Sequence, residues 1–283
     1  MGDLVLQVEK AEDVAINGFK NVVPFPFSHM RKVMVGVTRG ELLTLGGRPG
    51  HAKTSFALAM GVGWLDQGFK VLFISKEMPA FRLIHKIATM KSKTLTGMIL
   101  RRGELDLEQK AELATVSKKI IQDYQEKLFI IDDKFAVTDV PALVDRIKPD
   151  VVIDDYLQIT NMNQSDERQE LKRITLEMVR VAKANMIAYV SLSQLNRAIE
   201  IRDNPYPITS DLAGSDSIGW NSADVLMMHY GHKLNPDKYA KDRIAVIATK
   251  TRFGESRAFH FHFDGDHMKF TPLIKSQTAG ARR

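Results

Sequence analysis

Eight residues constrain this chain more than any others: Gly47-Arg48-Pro49-Gly50-His51-Ala52-Lys53-Thr54. The string has the spacing of a phosphate-binding loop, in which a Gly-rich turn joins a buried strand to a helix. The flanks agree with it. Glu41-Leu42-Leu43-Thr44-Leu45-Gly46 reads as a buried strand and Ser55-Phe56-Ala57-Leu58-Ala59-Met60 as a helix. Backbone N–H groups of such a turn, and of the helix it opens, point at a polyphosphate. Gly47 through Ser55 are therefore the expected nucleotide cradle, with Lys53 on the β- and γ-phosphates and the Thr54 hydroxyl on Mg²⁺. Ala52 stands where the pattern has its second Gly. A methyl fits there if the residue has helical φ, because only a left-handed backbone demands Gly; helical φ is the expectation.

A strand–loop–helix unit of this kind needs more strands beside it, and the chain supplies them. Short apolar runs at 71–75, 128–131, 151–153 and 187–192 alternate with helical stretches at 79–92, 105–124 and 166–185. The last of these carries Leu171, Ile174, Met178, Val181 and Ala182 at helical spacing, while 105–124 is polar enough to lie on the surface. Alternation of this kind implies a mostly parallel, twisted sheet covered by helices on both faces. After residue 223 the pattern turns strand-rich, at 224–229, 243–250, 257–263 and 268–270, with a tight hairpin at Gly265. These strands read as an antiparallel extension of the same core. Residues 1–34 read as an arm or linker that contacts a neighbouring subunit, 35–273 as the nucleotide-binding domain and 274–283 as a flexible tail.

Composition narrows the class further. At 283 residues, 44% hydrophobic and 26% charged, the chain has the make-up of a globular domain, and no apolar run reaches membrane-spanning length. It has no cysteine, which excludes disulfides and thiolate metal sites and fits a reducing cytoplasm. A net charge of +6 gives a mild pull toward polyanions.

Four further places can carry chemistry. The run Val151-Val152-Ile153 ends in Asp154-Asp155, and an acid at the C-terminal end of a parallel strand lies where ligands bind in such sheets. One of the two acids is expected to hold Mg²⁺ and the other to begin a loop. Glu77 follows the strand 71–75 at the same edge and could polarise the water that attacks the γ-phosphate. Gln194 closes the strand 187–192, where a neutral amide can sense that phosphate. Lys250 and Arg252 lie in a turn between late strands, either as a solvated basic pair or as cations reaching a neighbour's γ-phosphate. The polar segment 197–220 reads as a long loop without regular structure and includes Arg197, Arg202, Ser215 and Gly214, groups of the kind that bind a nucleic-acid backbone.

Together these strings resemble the ATPase domain of DnaB-type replicative helicases, a RecA-like family. The resemblance runs from Gly47-Arg48-Pro49 through Ile74-Ser75-Lys76-Glu77-Met78 and Ile153-Asp154-Asp155-Tyr156-Leu157-Gln158. It continues with Leu192-Ser193-Gln194-Leu195-Asn196-Arg197, Ser210-Asp211-Leu212, Ala223-Asp224-Val225 and Lys250-Thr251-Arg252-Phe253-Gly254, over roughly residues 35–270. It implies ATP and Mg²⁺ as cofactors, Glu77 as the catalytic base, Asp155 as the magnesium acid and Gln194 as the link from nucleotide to DNA. It implies that Lys250 and Arg252 act in trans, and that Arg197, Arg202 and the loop Ala213-Gly214-Ser215-Asp216 meet single-stranded DNA. The implied assembly is a hexameric ring moving 5′ to 3′, with primase, polymerase or a loader as further partners and no membrane. Leu212-Ala213-Gly214-Ser215 is closest in style to phage ring helicases, which shifts the expected DNA contacts toward backbone N–H groups. The phosphate loop begins after only 46 residues, so a minimal form, from a phage in a bacterial cytoplasm, or an excised piece is expected. Two other functions share the loop and the acids: a recombination ATPase that coats DNA as a filament, and a nucleotide-switched assembly protein.

Overall fold

In the computed structural model, which describes residues 4–16, 18–133, 136–155, 167–202, 204–212, 216–253 and 255–273, the apolar runs become one nine-stranded sheet. The chain opens with α1 (Leu4–Ile16); β1 (Val22–Pro24) and β2 (Gly36–Thr38) then pair antiparallel around α2 (Ser28–Met34). Next come β3 (Leu42–Gly47), α3 (Lys53–Asp66), β4 (Val71–Ser75), α4 (Ala80–Lys91), α5 (Gly97–Arg102), α6 (Leu107–Tyr124) and β5 (Leu128–Ile131). They are followed by α7 (Val140–Ile147), β6 (Val151–Asp155), α8 (Glu167–Asn185), β7 (Ala188–Gln194) and α9 (Asp216–Asn221). The chain closes with β8 (Asp224–His229), β9 (Arg243–Lys250), β10 (Arg257–Asp264) and β11 (Lys269–Pro272).

The sheet order is β11-β10-β9-β8-β3-β7-β6-β4-β5. The six strands from β8 to β5 run parallel, and β9, β10 and β11 add antiparallel at one side. The central strands are buried on both faces, which is why they read as unbroken apolar runs rather than alternating ones. Side chains still alternate between two cores. Leu43, Leu45, Val71, Phe73, Val151 and Ile153 join the core under α3, α4 and α6. Leu42, Leu72, Ile74 and Val152 join the core under α7 and α8.

Three readings of the sequence change here. The stretch 105–124 is not merely a surface helix: α6 buries Val116, Ile120 and Tyr124. The segment 197–220 is not structureless: it holds 3₁₀ turns at Arg197–Ile201 and Thr209–Asp211 and then α9, and it sends Ile199, Leu212 and Ile218 into the second core. The hairpin between β10 and β11 turns over residues 265–268, and its left-handed residue is Met268 rather than Gly265. Within residues 1–34, Val23, Phe25, Met30 and Met34 are buried in the first core, and Trp64 Nε1 donates to the Pro24 carbonyl at 2.9 Å. The tail 274–283 lies outside the described residues.

Candidate active site

All six parallel strands end at one edge of the sheet, and the phosphate loop leaves the middle of that edge from β3. Gly46 is closely packed: a Cβ there would meet Met227 Sδ at 2.4 Å and Leu195 Cδ2 at 3.0 Å, so both side chains would have to shift. The loop turns through Gly50 at φ 77° and then Ala52 at φ 61°, ψ 22°. Ala52 is therefore left-handed, and the expectation of a helical φ fails. The turn into α3 needs this conformation whichever residue occupies it. No side chain caps α3, which suits a helix start that meets an anion.

Period two separates the two acids. Val151 and Ile153 face α3, so Asp155 does too, whereas Asp154 falls on the other face. There Asp154 is fully buried, with Lys76 Nζ at 2.8 Å and the Tyr189 hydroxyl donating at 3.1 Å. Asp155 is buried beside Thr54 and Lys53, and apart from the nearby Thr54 hydroxyl its carboxylate oxygens have no hydrogen-bond partner. Burial pushes its carboxyl up to about 6, Glu77 and Asp154 push the same way, and the Thr54 hydroxyl and Lys53 oppose them. Burial lowers the Lys53 ammonium, against the pull of Asp155 and Glu77. A buried carboxylate beside a threonine hydroxyl, with no other hydrogen-bond partner, is a donor set that fits a hard divalent cation.

Glu77 is exposed just beyond β4, and its neighbour Lys76 donates its backbone N–H to the Asp155 carbonyl at 2.7 Å. Gln194 ends β7 directly across from Gly47. Lys53, Thr54, Glu77, Asp155 and Gln194 thus share one edge.

Lys86 joins them, and the sequence reading missed it. Its Nζ donates to Ser55 Oγ at 3.1 Å, and burial lowers its pKa while Asp155 and Glu77 oppose the shift. The available signal was a lysine within the apolar stripe Leu83, Ile87 of an amphipathic helix. From Ser55 a groove of ≈ 560 Å³ opens between α4, α5 and the hairpin turn, lined by Phe81, His85, Lys86, Met98, Asp266 and Met268.

The other expected site residues fall elsewhere. The Arg48 guanidinium bonds Glu200 and the Leu195 carbonyl. His51 is buried, accepts from the Tyr230 N–H at 3.4 Å, and is held near pKa 4, first by burial and then by His229. Arg202 is spent within its own segment, on Asp211 at 2.9 and 3.1 Å and on the carbonyls of Asn204 and Tyr206. Arg197 is exposed at the start of a 3₁₀ turn. Ala213, Gly214 and Ser215 lie outside the described residues, and Asp216 is the first residue of α9.

Lys250 and Arg252 sit at the opposite edge of the sheet, because β9 runs antiparallel to β8 and Lys250 pairs with Val225 at its start. The Lys250 ammonium caps α9, donating to the carbonyls of Gly219 at 2.8 Å, Trp220 at 3.3 Å and Ser222 at 2.7 Å. Arg252 is more than half exposed and pairs with Glu41.

The chain matches the family model of the DnaB-like helicase C terminal domain over residues 23–272. It is 27% identical over 263 residues to a probable replicative DNA helicase of Trieres chinensis, covering 88% of this chain and 56% of that protein. It is 30% identical over 268 residues to a probable plasmid replicative DNA helicase of Chlamydia trachomatis, covering 92% and 56%. The chain thus spans about half the length of the curated relatives it matches. Its fold superposes on the ATPase domain of G40P with a TM-score of 0.85 at 20% identity, covering 97% of this chain and 100% of that one. A DnaB-like replicative helicase solved with regard to its interactions with primase gives 0.82 at 20% identity, covering 97% and 68%. The fold is the RecA-like α/β ATPase fold that the alternation of strands and helices implied.

Proposed function

We propose, for a chain that belongs to the family of DnaB-like helicase C-terminal domains, that it is the motor of an ATP-driven replicative DNA helicase. The observation that carries this reading is Asp155, a buried carboxylate at the mouth of the phosphate loop whose polar company is Thr54 and Lys53 of that loop and Glu77 and Asp154 beside it. Residues 35–273 are the motor domain in this reading.

The loop backbone from Gly47 to Ser55 cradles the phosphates, and Lys53 neutralises the β- and γ-phosphates. Thr54 and Asp155 would hold Mg²⁺, which when bound offsets the negative charge of the phosphates. Glu77, at the open side of the same edge, orients and deprotonates the attacking water. Gln194, across from Gly47, reads the phosphate end, and Lys86 supplies a second cation by Ser55. The nucleoside half lies along the groove beyond Ser55.

Subunits assemble head to tail into a hexameric ring on single-stranded DNA. Arg252 reaches a neighbour's γ-phosphate, while Lys250 holds the end of α9, and the loop 213–216 meets the DNA. Arg197 meets the DNA backbone, and Arg202 shapes the segment that carries the loop. α1, with Leu4, Val8 and Ile16 exposed, packs on the adjacent subunit as an arm. Movement is 5′ to 3′, and primase, polymerase and a loader are the further partners. No helix among the described residues is long and apolar enough to cross a membrane. A phage-encoded chain acting in a bacterial cytoplasm completes the reading. The family match gives no support to the filament or switch alternatives.

The test is steady-state ATP hydrolysis with and without single-stranded DNA, beside unwinding of a forked duplex. Stimulation by DNA, and loss of both activities in Lys53→Ala, are expected. A Lys53→Ala protein that still hydrolyses ATP sinks the assignment.

A further inference from the structure

Arg48, the second residue of the phosphate loop, does not keep its side chain within the loop. Its Nε and Nη2 both reach Glu200 Oε1, at 2.7 and 2.6 Å, and its Nη1 donates to the Leu195 carbonyl at 2.7 Å. All three guanidinium nitrogens are thereby committed to the segment after β7. The Arg48 side chain is nine-tenths buried and that of Glu200 about half exposed, so the pair is partly shielded from screening solvent.

From these two anchor points the bonds continue without a gap. Leu195 pairs with Leu212 in an isolated antiparallel bridge, and the Asn196 N–H donates to the Asp211 carbonyl at 2.8 Å. Arg202, two residues beyond Glu200, closes the same loop onto the Asp211 carboxylate. Leu212 is the residue before 213–216. A second contact runs alongside. His51 of the loop accepts from the Tyr230 N–H at 3.4 Å, and the ring of His229, next to Tyr230 in the chain, stacks on Tyr206 of the same segment at 4.5 Å. The phosphate loop therefore holds the 195–212 segment directly through Arg48, and indirectly through the end of β8.

We infer that Glu200 is a positioning residue: its ion pair with Arg48 couples the phosphate loop to the DNA-facing segment, so that the response of ATP hydrolysis to single-stranded DNA passes through this pair. The inference rests on the helicase reading and adds a route beside Gln194. Arg48 is rooted in the phosphate loop, and Glu200 in the segment that leads to the expected DNA-binding loop. Couplings between two sites of one domain are typically about 5- to 150-fold in affinity, and they act equally in both directions. A change that cuts the pair should then remove the cross-talk and leave each site able to work alone.

The experiment compares wild type, Glu200→Gln and Glu200→Asp in the full chain. ATP hydrolysis is measured with and without oligo-dT, and oligo-dT affinity with and without a non-hydrolysable ATP analogue. Glu200→Gln keeps the carbon skeleton and removes the charge. It is expected to hold the basal rate within about twofold, lose about tenfold of the DNA stimulation, and lose the effect of the analogue on DNA affinity. Glu200→Asp keeps the charge at shorter reach and should recover part of both effects. A stimulated wild type whose stimulation survives Glu200→Gln overturns the coupling role alone. So does a variant whose basal and stimulated rates fall by the same factor, which is what a merely structural pair would give. A wild type that ignores DNA overturns the helicase reading, and the coupling role with it.

Discussion

Ala52 occupies a left-handed backbone position that is ordinarily filled by glycine. A Cβ in this region costs about 1–2 kcal/mol, offset by the greater unfolded-state freedom of glycine, roughly 0.4–1 kcal/mol. Ala52→Gly should therefore stabilise the chain by about 0.5–1 kcal/mol, read as a higher denaturant midpoint at constant slope. A loss of stability would mean that the turn gains something from the methyl. Asp155 stores a larger cost. Burial pushes its carboxyl up to about 6 in the folded chain, against an ordinary 3.8, so the folded state holds the extra proton between those limits. That contribution to stability is complete below the unfolded value and is lost as pH rises through the folded one. By pH 8 the loss is on the order of 3 kcal/mol. Asp155→Asn, without nucleotide and in EDTA, should gain stability over wild type near pH 8, with the gain shrinking steadily toward pH 4. His51 and His229, both held near 4 by burial, impose the opposite slope, losing stability as pH falls from 6.5. They are common to both proteins and cancel in the comparison. A difference that stays flat with pH would show that Asp155 is not strained in the free site.

At the scale of elements, what was legible followed from period and burial. The strands at 71–75, 128–131, 224–229 and 243–250 fall within the bounds their apolar runs set; those at 71–75 and 224–229 are buried on both faces, where no other composition is open to them. The separation of Asp154 from Asp155 was also within reach, since residues two apart share a face and Val151, Ile153 and Asp155 form one row. α5 was missed although its signals were present: Thr96 accepts from the Ile99 N–H and Gly103 ends it at φ 73°. Six residues give the helical period too little length to register. The segment 197–220 misled for another reason. Its Pro, Ser and Gly are local signals for loops, whereas its order comes from long-range partners, Leu195 with Leu212 and Thr209 with Thr249. The same holds for Lys76. Its role as the buried partner of Asp154 depends on two strand ends being adjacent, and no spacing in the sequence encodes that adjacency. Ala52 marks the limit of pattern reading, because a motif names the residue and not its torsion angle.

At the scale of the whole molecule, the antiparallel run of β9 decides where Arg252 can act. Its backbone N–H bonds Asp224, at the start of β8, and its side chain pairs with Glu41, just before β3. The phosphate loop leaves the far end of β3, six residues away, and at about 3.3 Å per residue that is close to 20 Å of sheet. A chain that used Arg252 on its own nucleotide would have to reach across its own core. Head-to-tail contact would remove the difficulty, since it sets the Arg252 edge of one copy against the loop edge of the next, and a contact of that kind repeats, closing as a ring or running on as a helix. The consequence can be tested by mixing two inactive proteins. Lys53→Ala lacks a working loop but keeps Arg252; Arg252→Ala lacks the finger but keeps the loop. Each alone should hydrolyse almost no ATP. In an equal mixture, about a quarter of the interfaces would join an intact loop to an intact Arg252 from the neighbour, and activity should return in the presence of single-stranded DNA. Light scattering or native mass measurement would establish that mixed oligomers had formed. Mixed oligomers that stay inactive would mean either that Arg252 does not serve the neighbouring site or that one defective interface stops the whole ring. Titrating Arg252→Ala into wild type separates these. Loss steeper than the mutant fraction marks a ring that needs every interface, and loss in simple proportion, with no recovery in the mixture, removes Arg252 from the reaction in trans.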